Sequence, residues 1–251
     1  MLLANKKVAE KMRKSKERFV YRVHDQPDQE KLKNLQTVVK RLGYDLKLSS
    51  NELNDSLNSL LKKAFGKNEQ NLIDTLMIRS MSKAEYTTKN IGHYGLSFEN
   101  YTHFTSPIRR YPDVMVHRLI QAEIDGEKIK TDETETLCKH STHMEILATK
   151  AERDSVKLMQ IKFMKDKEGK TFDAVISGVV ARGVFVEVIE NKCEGLVKAK
   201  DLPGDFYVHD EKNHRFVGEK TGKKYQLGDK TRVMLIKADQ IKKRLDFQVL
   251  T

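Results

Sequence analysis

Residues 165–188 read KDKEGKTFDAVISGVVARGVFVEV, and the hydrophobic period of the chain changes within them. The first six, 165–170, are polar and aperiodic, which is typical of a linker. From Phe172 onward apolar and polar residues alternate, as in a half-buried strand, and a glycine-bounded turn at 178–183 precedes a second run at 184–188. The stretch therefore predicts a linker followed by the first two strands of a β-domain.

Short strands continue downstream of this stretch to the end of the chain. The further predicted strands are 195–197, 215–217, 224–227, 231–237 and 245–250. Glycine turns separate them, and Thr221-Gly222 is typical of a hairpin turn. Five or more short strands within ~80 residues predict a small β-barrel, so we expect a barrel domain over 171–251.

Upstream of the linker, apolar residues recur at three- and four-residue spacing, which predicts helices. One is expected over 27–42, and Ser49 with Glu52 forms a capping-box pattern before a second. Further helices are expected over 69–81 and 132–164. The apolar stripe of the last one, expected in the core, comprises Leu137, Met144, Leu147, Ala151, Val156 and Met159. The predicted fold class is α+β, with a mainly helical segment, 1–164, ahead of the barrel.

The composition limits the classes of protein to consider. The 47 Lys and Arg residues outnumber the 36 Asp and Glu residues, and the formal net charge is +11. Such an excess is typical of proteins that bind a polyanion, most often nucleic acid, although a protein basic only for solubility is the alternative. No apolar run approaches the ~18 residues of a membrane span, and two cysteines supply neither a disulfide framework nor a zinc site. We expect a cytoplasmic protein with no membrane partner.

The segment YTHFTSPIRRYPD, residues 101–113, gathers groups suited to a phosphodiester. Thr105 and Ser106 supply hydroxyls, and Pro107 is a favourable first residue of a helix. A helix that begins there directs free N–H groups at an anion, and Arg109 in its first turn offers a guanidinium that binds phosphate bidentately. The spacing alone equally allows a capped helix with solvated arginines.

The same segment closely resembles a family signature. The run HFTSPIRRYPD at 103–113, with NIGHYGL at 90–96 and MLLAN at 1–5, resembles the RNB domain of the ribonuclease II and ribonuclease R exoribonucleases. The barrel half resembles the S1 family of OB-fold RNA-binding domains. The motifs that carry this second resemblance are GVV at 178–180, GVFV at 183–186, GLV at 195–197, DL at 201–202 and LGD at 227–229. An RNB segment followed by an S1 domain is the order of that exoribonuclease family, and the insertion 205–224 resembles the form in ribonuclease R.

The RNB resemblance implies an enzyme that hydrolyses RNA from the 3′ end and releases nucleoside 5′-monophosphates. It also implies two-metal chemistry, in which Mg²⁺ ions held by a tight Asp cluster activate water. The sequence contains no such cluster, because Asp25 and Asp28 flank a proline and the aspartates of the barrel half are separated. We therefore expect the C-terminal part of a larger exoribonuclease, which binds single-stranded RNA but is inactive alone, with the metal ligands outside this chain. Apolar faces of such a partial domain are expected to be exposed.

The resemblances assign candidate site residues. Arg109 matches an arginine that contacts the scissile phosphate, and Glu152 matches a glutamate near the terminal nucleotides in some members. Phe172 and Phe185 match ring positions on which bases stack, with barrel core as the alternative for each. Lys198 stands where the S1 family often has His and keeps a phosphate partner. The other RNA-binding candidates are His103, Thr105, Ser106 and Arg110.

Alternatives remain open for several of these residues. His103 is equally compatible with a core histidine, Arg110 with a carboxylate partner, and Glu152 with a solvated helix face. His140 and His143 have ligand-compatible spacing on a helix, but no Cys or Asp joins them, so zinc is not predicted.

Two other functions are considered for the whole chain. One is a non-catalytic RNA-binding adaptor built on the barrel, and the other is a scaffold whose basic surface binds ribosomes. We favour the exoribonuclease because an adaptor has no use for a phosphate clamp such as TSPIRRY.

Overall fold

In a computed structural model of the chain, helices dominate before residue 165 and strands dominate after it. The structure describes residues 1–14, 18–49, 52–67, 69–127 and 132–250, without the side chains of Asn71 and Lys212. Residue 251, the predicted end of the barrel, lies outside the described residues. The helices are α1 (Leu2–Met12), α2 (Gln29–Arg41), α3 (Leu53–Ala64), α4 (Gln70–Ser80), α5 (Tyr111–Asp125) and α6 (Thr134–Met164). The strands are β1 (Tyr21–His24), β2 (Ala84–Thr87), β3 (Thr171–Val180), β4 (Gly183–Val188), β5 (Glu194–Lys198), β6 (Tyr207–Asp210), β7 (Arg215–Gly218), β8 (Lys224–Gln226), β9 (Lys230–Asp239) and β10 (Arg244–Val249). The predicted α+β class is confirmed.

The chain divides into two compact units that do not follow its order. One consists of residues 1–29 and 80–151, and the other of 30–79 and 152–251. In the first unit, β1 pairs antiparallel with β2, and the core contains residues of α1, β1 and α5. None of the described helices is long and apolar enough to cross a membrane.

The helices α2 to α4 lie close to their predicted positions. The side chains of α2 that recur at helical spacing are buried, among them Leu32, Leu35 and Val39. The capping box before α3 is wrong, however. The Ser49 hydroxyl donates to the Glu52 carboxylate at 3.2 Å, and no side chain caps the helix. The two side chains satisfy each other instead of the N–H groups of the first turn.

The predicted burial of the apolar stripe on α6 is wrong over most of its length. Met144, Leu147, Val156 and Met159 are between 44% and 60% exposed. Each end of this helix is anchored in a different core: Cys138 in that of the first unit, and Ile161 and Met164 in that of the second. No part of the described chain buries the stretch between them, so helical periodicity alone did not ensure burial.

The second unit contains a closed five-stranded barrel. Its strand order is β10-β5-β4-β3-β9, antiparallel except between β5 and β10. At Gly183 the backbone has φ +150°, and a Cβ there would overlap the carbonyl oxygen of Val197 on β5. Only glycine fits so close an approach of two strands. The predicted insertion forms a separate antiparallel sheet, β6-β7-β8.

The segment predicted as a linker, 165–170, is held against β9. Its first three residues form a 3₁₀ turn directly after α6. The Glu168 carboxylate accepts the Ala238 N–H at 2.8 Å, and the Gly169 N–H donates to the Leu235 carbonyl at 2.8 Å. Domain boundaries at 164 and 171 stay a prediction.

Candidate functional site

A tight turn, not a helix, carries the arginines of the TSPIRRY segment. The predicted helix start at Pro107 is wrong, because α5 begins at Tyr111 with Pro112 in its first turn. A helix from Pro107 would place Pro112 in its interior, where proline lacks the N–H for the helical bond and its ring clashes with the preceding turn. Instead the N–H groups of Arg109 and Arg110 approach the Ser106 carbonyl at 3.3 and 3.1 Å.

The buried carboxylate of Asp113 accepts hydrogen bonds from both ends of this turn. Asp113, in the first turn of α5, is 0% exposed, and its Oδ1 accepts the Ser106 N–H at 2.8 Å and the Arg110 Nη2 at 2.8 Å. The guanidinium of Arg110 is therefore turned inward. This geometry matches the alternative for Arg110, in which the guanidinium pairs with a carboxylate. Arg109 is exposed, and Ile108 beside it is fully exposed. Of the two arginines, Arg109 is the one presented to solvent.

His103, two residues before the TSPIRRY segment, is half-buried. Its Nδ1 is 2.8 Å from the Tyr86 hydroxyl. Burial, with the positive charges of Arg110 and Arg22 nearby, lowers the pKa of His103 to about 4. The ring is consequently neutral at pH 7, so it supplies no positive charge for a phosphate. This geometry matches the core alternative for His103.

The remaining candidates of the helical segment are placed differently. Thr105 and Ser106 are half-buried at the start of the turn. Glu152 lies on the exposed stretch of α6, and it belongs to the second compact unit whereas Arg109 belongs to the first. His140 and His143 are exposed on α6. No group of three His, Cys, Asp or Glu side chains in the described residues has the geometry to hold a metal ion. These residues therefore do not fit the two-metal centre of the resemblance, and no step on a metal follows from them.

The outer face of the barrel brings two of the predicted RNA-binding residues together. Val184 and Val186 are fully buried, so Phe185 between them points outward. Gly183 pairs with Lys198 across the strands, which places Lys198 on the same face as Phe185. We call this surface, formed by Phe185, Lys198 and Arg182, the outer barrel face.

Arg182 is a residue that sequence reasoning missed. Its guanidinium lies 5.6 Å from the centroid of the Phe185 ring, within the range of a cation–π contact. The available signal was its place in the turn between β3 and β4, three residues before Phe185. A basic residue there places a second positive charge, besides that of Lys198, on the face that carries Phe185.

Phe172 is not part of the outer barrel face. It pairs with the fully buried Val233 on β9 and shares the interior side of β3 with Ala174 and Ile176. Its ring packs, half-buried, against the barrel core. The structure thus favours the core alternative for Phe172 and separates it from Phe185.

A cavity of about 480 Å³ in the second unit is a weaker candidate for a binding site than the outer barrel face. It is lined by residues of α2, α4, β7 and β8. Its basic groups already have partners, since Arg41 Nη1 donates to the side-chain Oδ1 of Asn213 and the Arg215 Nε donates to Asp210 Oδ2 at 2.9 Å. Mutually satisfied polar groups gain little from a bound molecule.

Comparison with known proteins gives matches over both halves of the chain. The RNB domain family model matches residues 1–126, and the S1 RNA binding domain model matches 165–250. The chain is 40% identical over 254 residues to Ribonuclease R of Aquifex aeolicus, which covers 100% of the chain and 36% of that relative.

The fold is similar to that of a ribonuclease of known structure. Mycoplasma genitalium RNase R in complex with ribose methylated single-stranded RNA is 28% identical, with a TM-score of 0.91 over 100% of this chain and 40% of that one. The same protein in complex with double-stranded RNA gives a TM-score of 0.80 at 25% identity, with the same shares covered. The chain spans about a third of the length of the curated relatives it matches.

Proposed function

The chain belongs to the RNB exoribonuclease family, and from that premise we propose that it supplies the C-terminal part of a ribonuclease R-like enzyme. The complete enzyme degrades single-stranded and structured RNA processively from the 3′ end, by hydrolysis, to nucleoside 5′-monophosphates. Within it, this chain holds the RNA. The observation that carries the proposal is the TSPIRRY turn, which presents Arg109 to solvent while Asp113 and Arg110 hold the turn from inside.

Arg109 contacts the scissile phosphate in this proposal. Its planar guanidinium matches two phosphate oxygens, and a fixed cation there stabilises the charge that develops as the bond to the leaving oxygen breaks. Mg²⁺ would activate the attacking water when bound in the complete enzyme, and its carboxylate ligands would come from outside this chain. The chain alone therefore binds RNA without hydrolysing it.

The outer barrel face binds the RNA strand independently of its sequence. The Phe185 ring stacks on one base, while Lys198 and Arg182 contact the phosphates on either side. Both kinds of contact tolerate any nucleotide, because every base has a π-face and every linkage a charge. A processive enzyme needs this tolerance, since its substrate slides through in single-nucleotide steps.

The exposed apolar side chains of the first unit support the partial-domain reading. Ile91, Ile108, Met144 and Leu147 are each at least 44% exposed. In this proposal, the rest of the enzyme covers part of this apolar surface.

A chimera tests the enzyme. In it, this chain replaces the matching third of the Aquifex aeolicus relative, and we expect release of 5′-monophosphates from 3′-labelled RNA with Mg²⁺. Arg109→Ala in the chimera should lower kcat by about 10²- to 10³-fold, the usual cost of one charge-stabilising group. A folded chimera that binds RNA but releases no nucleotide would instead favour the non-catalytic adaptor.

The isolated chain supplies the complementary test. We expect RNA binding that weakens steeply with salt and no release of mononucleotide. Stepwise release would show that the chain holds its own metal ligands and would contradict the proposal. Ribosome binding stays a prediction, which cosedimentation with ribosomes would test.

A further inference from the structure

One buried carboxylate oxygen closes the TSPIRRY turn at both ends. Asp113 Oδ1 accepts the backbone N–H of Ser106, before the turn, and the Nη2 of Arg110, after it, each at 2.8 Å. Between these two anchors, the backbone hydrogen bonds among the described residues run from the N–H groups of Arg109 and Arg110 to the Ser106 carbonyl, and Ile108 and Arg109 are exposed. The position of the Arg109 backbone thus depends on Asp113.

The location of Asp113 suits this task. It lies in the first turn of α5, where the free N–H groups of the helix favour a negative charge. It is fully buried, so solvent does not compete for its hydrogen bonds. The salt bridge to Arg110, whose side chain is 20% exposed, offsets part of the cost of burying the charge, while Asp113 Oδ2 has no hydrogen-bond partner in the described residues. A hydrogen-bonded and charge-paired anchor of this kind holds a loop in one geometry.

We propose that Asp113 is a positioning residue for the phosphate contact of Arg109, an inference that rests on the proposed function. Asp113 fixes the turn so that the Arg109 guanidinium faces the RNA without first being ordered by it. The conformational entropy of the turn is then lost on folding and not again on binding. Asp113 itself never touches RNA.

The sign of the effect separates positioning from general electrostatics. Removing a negative charge from a protein strengthens its binding to a polyanion, so Asp113→Asn should tighten RNA binding if only the net charge matters. Positioning predicts the opposite, because Asn cannot form the salt bridge to Arg110 and the turn loosens. Asp125→Asn is the matched control, since it removes the same charge from an exposed residue at the other end of α5.

The experiment is a double-mutant cycle on the 251-residue chain, with RNA affinity read by fluorescence anisotropy of a labelled single-stranded oligonucleotide. Arg109→Ala should weaken binding by about three- to tenfold and reduce the salt slope by about 0.7, the value of one single-strand phosphate contact. Asp113→Asn should weaken binding by about two- to fivefold, and Asp125→Asn should leave it unchanged or tighter. In the Arg109→Ala background, Asp113→Asn should no longer weaken binding.

A second variant and a second measurement distinguish a loss of positioning from a folding defect. Arg110→Lys keeps the charge of the chain but loses the planar guanidinium, so it should weaken RNA binding only when Arg109 is present. Amide hydrogen exchange should show faster exchange at Ser106, Arg109 and Arg110 in Asp113→Asn, with the rest of α5 still protected.

Two results would overturn the inference. One leaves the proposed function intact, and the other contradicts the proposed function as well. If Arg109→Ala weakens RNA binding but Asp113→Asn leaves the affinity and salt slope of the folded chain unchanged, Asp113 is structural only and the proposed function stands. If Arg109→Ala has no effect on affinity, the phosphate contact itself is wrong, and the proposed role of the turn falls together with the inference.

Discussion

Two neighbouring residues of β4 should respond in opposite ways to the same truncation. Phe185 faces outward and Val186 faces the barrel interior, where it is fully buried. We expect Phe185→Ala to lower RNA affinity with little effect on stability. Val186→Ala should lower the free energy of unfolding with little effect on the intrinsic RNA affinity of the folded chain.

The magnitudes follow from the surroundings of each side chain. One side of the Phe185 ring is covered by Gly178, where an added Cβ would lie 3.5 Å from the ring. The Arg182 guanidinium lies over the ring at 5.6 Å from its centroid, so a base that stacks on this ring displaces the guanidinium. Stacking of one base contributes about 1–2 kcal/mol, which corresponds to a roughly 5- to 30-fold loss of affinity in Phe185→Ala. Val186→Ala removes two buried carbon groups at ~0.8 kcal/mol each, plus a cavity term, or about 2 kcal/mol in all.

The assay combines fluorescence anisotropy at fixed salt with urea denaturation followed by circular dichroism. Phe185→Tyr serves as the conservative control and should keep most of the affinity, because its ring stacks equally well. Equal RNA affinity in the wild type and Phe185→Ala, together with a loss of stability as large as that of Val186→Ala, would refute the assignment of the outer barrel face.

Three further predictions concern charge, pH and exposed apolar surface. Lys198→Ala and Arg182→Ala should each weaken binding to all RNA sequences alike and reduce the salt slope by about 0.7, as measured by salt titration; an unchanged slope would exclude a phosphate contact. Burial and neighbouring positive groups lower the pKa of His103 and of His93 to about 4, below the value near 6.5 of an unfolded histidine, so the unfolded state takes up protons first. The stability that these neutral rings contribute should be present above pH 6.5 and lost as the pH falls toward 4. An equal free energy of unfolding at pH 7 and pH 5, measured by urea denaturation, would contradict this. Leu147→Ser on the exposed stretch of α6 should reduce self-association in analytical ultracentrifugation with at most ~0.5 kcal/mol lost in stability, and a larger loss would show that this side chain is packed.

The architecture of each half followed from local pattern. Helical and strand periods are properties of a few successive residues, so the switch near residue 170, most element positions and the barrel were predictable from sequence. The start of α5 was not predicted correctly, because Pro107 and Pro112 are both compatible with a first helical turn. A helix that began at Pro107 would place Pro112 in its interior, where proline is unfavourable.

The face on which a residue lies depended on partners distant in sequence. Alternation showed that Phe185 opposes its valine neighbours, but pairing with β5 brought Lys198 to the same side, and pairing with β9 turned Phe172 toward the core. Likewise, the stripe on α6 has the period of a buried helix, yet burial requires a second surface, and the described chain provides none over its middle.

The sequence by itself therefore determined the family, the order of its two domains and the segment proposed to bind phosphate, because these are written in contiguous motifs. Only the tertiary structure decided how the side chains of that segment are arranged. It directed Arg110 inward to a buried carboxylate and left Arg109 exposed, since the partner of a side chain is set by the charge that folding places beside it.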